Sequence, residues 1–170
     1  MTTIFLIPHM DAGDRTRWTG DQDLRPLTEL GRRQAAAIAQ TLAGVKLDAL
    51  YSSPAARCTQ TLQPLAGRDG LEIEVAAGLR EQQREDENDR AFAARSLAAI
   101  TEILASQPGS TVAVCSHGDV IPAAVTGLVN QYGLPPVEPI RTRGQMYSVR
   151  VTDDAPALEL LPVPPVFPAG

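Results

Sequence analysis

The sequence contains two histidines, His9 and His117, and each directly follows a short apolar run. The runs, at 3–8 and 111–116, are typical of strands that are buried on both faces of a sheet. In open α/β sheets, ligands bind beyond the carboxyl ends of the strands. Two imidazoles at that edge could serve as nucleophile, hydrogen-bond donor or metal ligand. Their placement therefore predicts a chemical site.

A third strand end adds an arginine to the same edge. The turn at 52–54 closes a predicted strand at 48–52, and Arg57 follows about one helical turn later. A guanidinium group binds carboxylate or phosphate oxygens with two parallel hydrogen bonds. Among the 15 basic residues only Lys46 is a lysine, a bias that permits anion recognition but is equally explained by a general preference for arginine.

A metal site is the alternative that the same residues leave open. The pattern His-x-Asp occurs twice, at 9–11 and 117–119, and two imidazoles with two carboxylates could hold a divalent ion. Such short pairs are common, so the pattern is weak. We expect no metal ion and no other cofactor.

Alternating strand and helix patterns surround these residues. Thr28 is a candidate N-cap for a helix that ends near 43, and Ser53 with Pro54 predicts the start of a second helix that ends near 67. The charged run at 80–90 is most simply a solvated loop or a frayed helix start. Further helices are predicted at 91–105 and 119–131, with strands at 71–75, 146–152 and 157–161.

This alternation predicts the fold class, a three-layer α/β/α sandwich with a mostly parallel sheet. The last two strands are expected to form a closing antiparallel pair. We predict one domain at 1–161 and a proline-rich tail at 162–170.

Composition narrows the classes of function. The chain has 170 residues, 44% of them hydrophobic, and 15 Lys+Arg against 20 Asp+Glu give a net charge of −5. This acidic balance argues against a nucleic-acid or membrane partner, because both would need a cationic face. The sequence has no secretory signal and no run near the roughly 20 apolar residues that span a bilayer, which predicts a cytoplasmic protein. Nothing in it specifies an oligomeric state.

Four separated segments, in order, carry a resemblance to a known family. In these segments the chain resembles the histidine phosphatase superfamily, which has the phosphoglycerate mutase-like fold. Within that superfamily it most closely resembles the short SixA-like phosphohistidine phosphatases. A similar domain is fused to Nudix hydrolases in actinobacteria. The resemblance runs from Thr3 to about Thr126, with a weaker match at 79–81. The four segments are a strand ending in His9, RPLTELGRRQA at 25–35, YSSPAARCTQT at 51–61 and CSHGDVI at 115–121.

The resemblance implies a role for each matching residue. His9 matches the nucleophile, which attacks phosphorus and becomes a phosphohistidine. Arg57 matches an arginine that binds the phosphoryl oxygens, and His117 matches a second histidine that donates to them. Glu81 matches the acid that protonates the leaving oxygen and later activates water. It also opens a charged run, so a purely solvated side chain is the alternative.

Other residues are weaker candidates for substrate contacts. Arg15 and Arg17 lie in the first loop, where solvated charges are an equal alternative. Ser116 and Gly118 flank the second histidine, and the serine also suits a turn. Cys58 and Cys115 are expected to pack in the core behind the site.

One departure from the family pattern affects the expected activity. The family places an arginine directly before the nucleophile, whereas here Pro8 precedes His9 and Met10 follows it. Loss of one preorganised donor typically costs about 3–4 kcal/mol in the transition state. The site could be slow, could use Arg15 or Arg17 as a substitute, or could bind phosphate without turnover.

The leading hypothesis is a cofactor-independent phosphomonoesterase or phosphohistidine phosphatase that uses His9. About thirty residues separate Glu81 from the strand at 111–116, and they look like one loop and one helix. An open site follows, which could admit a phosphorylated small molecule, a nucleotide or a phosphoprotein. The alternative is a non-catalytic phosphate-binding regulatory protein.

Overall fold

The computed structural model describes residues 1–152 and 155–168. Within them, strands and helices alternate as the sequence predicts, with short 3₁₀ turns between some of them. The strands are β1 Thr2–Pro8, β2 Ala49–Ser52, β3 Ile73–Val75, β4 Thr111–Ser116, β5 Met146–Thr152 and β6 Ala155–Leu161. The helices are α1 Glu29–Thr41, α2 Ala56–Asp69, α3 Asp89–Ser106 and α4 Val120–Tyr132.

The six strands form one sheet in the order β3-β2-β4-β1-β5-β6. Neighbours from β3 to β1 run parallel, whereas β5 and β6 add an antiparallel pair at the other edge. The register places Pro8 of β1 beside Ser116 of β4, and Ser52 of β2 beside Cys115. Three strand ends that carry candidate residues are therefore adjacent.

Helices cover both faces of the sheet, which confirms the predicted three-layer α/β fold. Phe5 and Ile7 of β1 pack into a buried cluster with residues of α1 and α2. Ile4 and Leu6, on the opposite face of the same strand, pack into a second cluster with residues of α3 and α4. Burial on both faces explains why this strand is apolar at every central position.

Helix ends follow the sequence in one case and depart from it in another. The Thr28 side chain accepts a hydrogen bond from the Gly31 amide at 3.1 Å and caps α1, as predicted. Helix α2 begins at Ala56, and the residue before it makes no side-chain cap, so the predicted start at Ser53 and Pro54 is wrong. The Ser53 hydroxyl has another partner, His117.

A glycine is required where α1 meets the first loop. A β-carbon at Gly31 would lie 2.0 Å from the Asp11 carbonyl oxygen, far inside contact distance. The Thr28 amide also donates to that oxygen, at 3.0 Å. The start of α1 is thus fixed directly against the segment that follows His9.

The chain continues past β6 along the surface. Val163 is buried and packs into the cluster on the α1–α2 face, and its side chain lies against Gly144. Phe167 is exposed, and its carbonyl oxygen accepts from Arg33 at 3.4 Å. The predicted tail at 162–170 ends outside the described residues, at 169–170.

No helix in the described part of the chain is both long and apolar enough to cross a bilayer.

Candidate active site

His9 lies immediately beyond β1, where its backbone amide donates to the Ser116 carbonyl at 2.9 Å. Its ring nitrogen Nδ1 lies 2.8 Å from the Met10 carbonyl oxygen. A carbonyl oxygen only accepts, so Nδ1 carries the proton and Nε2 of the neutral ring keeps its lone pair. This is the tautomer that an attacking imidazole needs.

The surroundings of His9 also favour its neutral form. Burial lowers the pKa of His9 from 6.5 to about 3; the charges of His117, Arg143 and Arg57 act in the same direction, and the Met10 hydrogen bond opposes them. The imidazole therefore has a free lone pair at any pH near neutrality.

His117 follows β4 and is almost completely buried. Its Nε2 lies 2.8 Å from the Ser53 hydroxyl, and its Nδ1 lies 3.4 Å from Nη2 of Arg57. A guanidinium only donates, so Nδ1 accepts here and Nε2 donates to Ser53. The centres of the His9 and His117 rings are 5.5 Å apart, which leaves both imidazoles facing one small space.

Arg57, near the start of α2, has a side chain that is only 1% exposed. It donates from Nη1 to the Gln22 carbonyl at 2.7 Å and from Nη2 to the Glu81 carboxylate at 3.3 Å. Its Nε has no hydrogen-bond partner among the described residues. The guanidinium is thus fixed from two sides, and its Nη2 also lies beside Nδ1 of His117.

Glu81 lies in the loop before α3 and holds two arginines at once. Its Oε1 accepts from Arg15 at 3.0 Å and its Oε2 from Arg57. The side chain is 28% exposed, so one side of the carboxylate faces solvent and an incoming ligand. The Glu81 carboxylate can therefore exchange a proton with a group that binds on its solvent-facing side.

His9, His117 and Glu81 line a cleft of about 650 Å³, and Arg57 lies behind its surface. The charged segment at 80–86 is a loop of mostly exposed residues, as predicted, and it also forms one wall of the cleft. Arg95 of α3 anchors this wall through the carbonyls of Gly78 and Arg80 and through an ion pair with Glu87 at 2.7 Å. The lining residues include His9, Arg15, Gln22, Glu81, His117, Gly118 and Asp119.

Two of the predicted substrate contacts do not line this cleft. Arg17 is 88% exposed and pairs with Asp14 at 3.8 Å. The Ser116 hydroxyl is buried and donates to the Leu79 carbonyl at 2.7 Å, so it stabilises the loop before the charged wall. Arg15 and Gly118, by contrast, are both at the cleft.

The two aspartates of the His-x-Asp pattern serve the backbone. Asp11 accepts from the Thr28 hydroxyl at 2.6 Å, and Asp119 accepts from the amides of Val120 and Gln82. Across residues 1–152 and 155–168, no group of three or more His, Cys, Asp or Glu side chains is arranged to hold a metal ion. Both aspartates of the pattern are therefore engaged in capping and loop closure.

The sequence analysis missed three residues that shape the site. Gln22 supplies the carbonyl that holds Arg57, and Arg25 braces the first loop by donating to the Ala12 carbonyl at 2.8 Å. Arg143 donates to the His9 carbonyl at 2.8 Å from a loop that precedes β5. The first two lie within or beside segments that the sequence analysis considered, whereas Arg143 lies in none of them.

The two cysteines lie directly behind His117, and both are fully buried. Sγ of Cys58 is 3.7 Å from Nε2 of His117. Although burial opposes ionisation, hydrogen bonds from Cys115 and His117 and the nearby charges lower the pKa of Cys58 to about 6. Burial raises the pKa of Cys115 well above its usual value.

Taken together, these groups could transfer a phosphoryl group. An unprotonated imidazole, a second histidine and a carboxylate face one cleft at the strand ends, and a buried guanidinium contacts the carboxylate and the second histidine. This arrangement provides a nucleophile, positive charge for anionic oxygens and a proton carrier.

Comparison with known families gives an independent result. A family model described as "Histidine phosphatase superfamily (branch 1)" matches residues 9–86 and 82–162 of this chain. The 8-oxo-(d)GTP phosphatase of Mycolicibacterium smegmatis is 31% identical over 153 residues. That match covers 89% of this chain and 45% of the relative, so the chain spans about half the length of that protein.

Solved structures share the fold at lower identity. YhfR of Bacillus stearothermophilus is 22% identical, with a TM-score of 0.75 and coverage of 93% of this chain and 95% of that one. A mycobacterial glucosyl-3-phosphoglycerate phosphatase is 21% identical, with a TM-score of 0.71 and coverage of 92% and 96%.

Proposed function

We propose that this chain, which belongs to the histidine phosphatase superfamily, hydrolyses phosphomonoesters or phosphohistidine through a phosphoryl group carried on His9. The observation that carries the proposal is the tautomer of His9. Its Nδ1 proton is held by the Met10 carbonyl at 2.8 Å, so the Nε2 lone pair is free to attack. The relatives that match this chain include phosphatases, which supports the same class of reaction.

In the proposed first step, Nε2 of His9 attacks phosphorus while the bond from phosphorus to the leaving oxygen breaks. Glu81, which first takes up a proton from solvent, gives that proton to the leaving oxygen, and the product leaves as an alcohol. In the second step, water attacks phosphorus while the bond from phosphorus to Nε2 of His9 breaks, a proton of the water passes to Glu81, and inorganic phosphate departs. The nucleophile and the acid are then restored to their starting states.

Arg57 and His117 would stabilise the charge that spreads over the phosphoryl oxygens. Arg57 currently shares its Nη2 between Glu81 and Nδ1 of His117. An anionic phosphoryl group would compete for that donor and release the carboxylate for proton transfer. Nδ1 of His117, which accepts in the free protein, would become a donor to the same oxygens on receiving the proton of the substrate's phosphate monoanion.

We infer that the substrate is a phosphorylated small molecule or a nucleotide. The other candidate is a protein that carries phosphohistidine, as in the SixA-like branch. The cleft of about 650 Å³ is large enough for a drug-sized ligand, and its wall carries charges of both signs. The relative from M. smegmatis acts on a nucleotide, which supports the first of these classes.

Trapping the phosphoenzyme tests the proposal. After rapid quenching during turnover of a labelled phosphomonoester, we expect an acid-labile, base-stable label on His9. Label on a serine, or turnover with no label on His9, would contradict the mechanism. A crystal soaked with vanadate should show contacts from His9, Arg57 and His117, with Glu81 at the edge.

Replacement of Pro8, the residue before the proposed nucleophile, is expected to change the activity. Pro8 lines another cavity of about 260 Å³, which has Gly118 as a lining residue in common with the active-site cleft and leaves space for a longer side chain. We expect Pro8→Arg to raise kcat/KM for generic phosphomonoesters by roughly 10-fold, because it adds a donor for the phosphoryl oxygens. Phosphate should also bind more tightly.

The matched control is Pro8→Gln, which has similar length without the charge and should give little of the gain. If folded Pro8→Arg changes neither kcat/KM nor phosphate affinity, charge at this position does not limit the site. Weak turnover would then favour the second candidate function, a non-catalytic phosphate-binding protein. The specific argument for that function is the uncharged Pro8 before His9.

A further inference from the structure

Arg143 contacts the nucleophile segment from a distant part of the chain. It lies 134 residues after His9, in the loop that enters β5, and its side chain is 45% exposed. From Nη1 it donates to the His9 carbonyl at 2.8 Å and reaches the Met10 carbonyl at 3.4 Å. Its Nε lies 4.0 Å from the Asp11 carboxylate. One guanidinium therefore spans three consecutive residues.

The Met10 carbonyl connects this contact to the chemistry. The same oxygen accepts the Nδ1 proton of His9 at 2.8 Å. Any movement of this carbonyl would release the ring, change its tautomer or turn Nε2 away from the cleft. Arg143 thus holds the acceptor on which the proposed nucleophile depends.

Charge gives a second reason to single out this residue. The last residue of β1, Pro8, has no charge and lines the same 260 Å³ cavity as Arg143. Arg57 supplies its charge from the α2 side of the site, through the Gln22 and Glu81 contacts. Arg143 supplies a charge from the β5 side, next to the backbone of His9 itself.

We propose that Arg143 is a positioning residue for His9, which fixes the His9 and Met10 carbonyls and supplies positive charge on the side of the site that Pro8 leaves neutral. The inference rests on the proposed function, since it assigns a residue to the same nucleophile. It gives the loop before β5 an indirect part in the reaction, through the backbone carbonyls of His9 and Met10.

The expected pH effect follows from the groups that face His9. These are His117, Arg57 and Arg143; the guanidinium groups of the two arginines are always positive, and their charges disfavour protonation of the ring. Removal of Arg143 takes one of these charges away, so His9 should take up a proton at higher pH. Attack requires the neutral ring, so the acid limb of kcat/KM should move to higher pH in the variant.

The experiment compares Arg143→Ala and Arg143→Lys with the control Arg141→Ala. Arg141 lies on the same loop, is 72% exposed and pairs with Glu138 rather than with the nucleophile segment. We expect Arg143→Ala to lower kcat by about 10-fold or more with KM changed much less, because a displaced nucleophile slows the chemical step. Lysine should restore the pH profile through its charge but only part of kcat. The control should match the wild type.

A second readout does not depend on turnover. The two imidazoles of the protein can be followed by NMR as the pH falls, with His9→Ala assigning the signals. In Arg143→Ala we expect His9 to titrate at higher pH than in the wild type. If a folded Arg143→Ala keeps both the wild-type kcat and the wild-type titration of His9, the inference is wrong. If the wild type shows no turnover that depends on His9, the proposed function fails, and the titration alone decides the role of Arg143.

Discussion

Replacement of His9 by alanine is expected to lower the turnover of a generic aryl phosphate by at least about 10³-fold, the largest effect of any single change in this chain. The variant loses the atom to which the phosphoryl group is transferred. The remaining groups, Arg57 and His117 among them, would still bind phosphate, so KM should change much less than kcat. Initial rates with wild type and variant at equal concentration measure the effect.

Two controls make this result specific to the nucleophile. Added imidazole should restore part of the activity of His9→Ala, because the lost side chain leaves a gap that opens to the cleft. A circular dichroism melt should show that the variant is folded. Equal rates for wild type and His9→Ala would assign the signal to a contaminant and make the chain a phosphate-binding protein.

The second largest effect is expected for Arg57→Ala, which should lower kcat/KM by about 10²–10³-fold. Arg57 is buried, and its guanidinium is held by the Gln22 carbonyl and by Glu81 at 3.3 Å. The donors are therefore fixed before a ligand arrives and need no reorganisation in the transition state. The kcat/KM from steady-state kinetics and the affinity for phosphate should fall together.

Loss of a buried arginine could also weaken the fold, so the comparison needs a structural arginine. Arg68 suits this purpose, because it donates to the Leu42 and Val45 carbonyls far from the cleft. Arg68→Ala should lower the melting temperature with kcat/KM close to the wild type. Arg57→Lys should keep the charge but lose the paired hydrogen bonds, and fall between wild type and alanine. If Arg57→Ala remains folded with unchanged kcat/KM, Arg57 does not bind the phosphoryl group.

The sequence predicts those parts of the site that come directly from strand ends. His9 and His117 follow buried apolar strands, and the parallel register of β1 with β4 places them side by side. Arg57 follows the next strand by one turn of helix. Short-range patterns are sufficient for these residues, because the carboxyl ends of parallel strands meet at one edge.

Other parts of the site depend on contacts that no local pattern encodes. Ser53 has a hydroxyl that suits a helix cap, and only the position of His117 at 2.8 Å decides how it is used. The segment at 80–86 has the composition of a solvated loop, and it becomes a cleft wall because Arg95 anchors it. Arg143 reaches its partners across 134 residues of chain. Such contacts arise from tertiary packing, which composition and spacing do not specify.

The strand order has a consequence for how the chain folds. β1 is synthesised before both of its neighbours, which are β4 at Thr111–Ser116 and β5 at Met146–Thr152. Both ladders close loops of more than a hundred residues, which slows folding because chain entropy is lost before the contacts form. Until then the apolar face of β1 has no partner and is exposed to aggregation or to chaperones. The strand that carries the proposed nucleophile is therefore synthesised well before either of the strands that it pairs with.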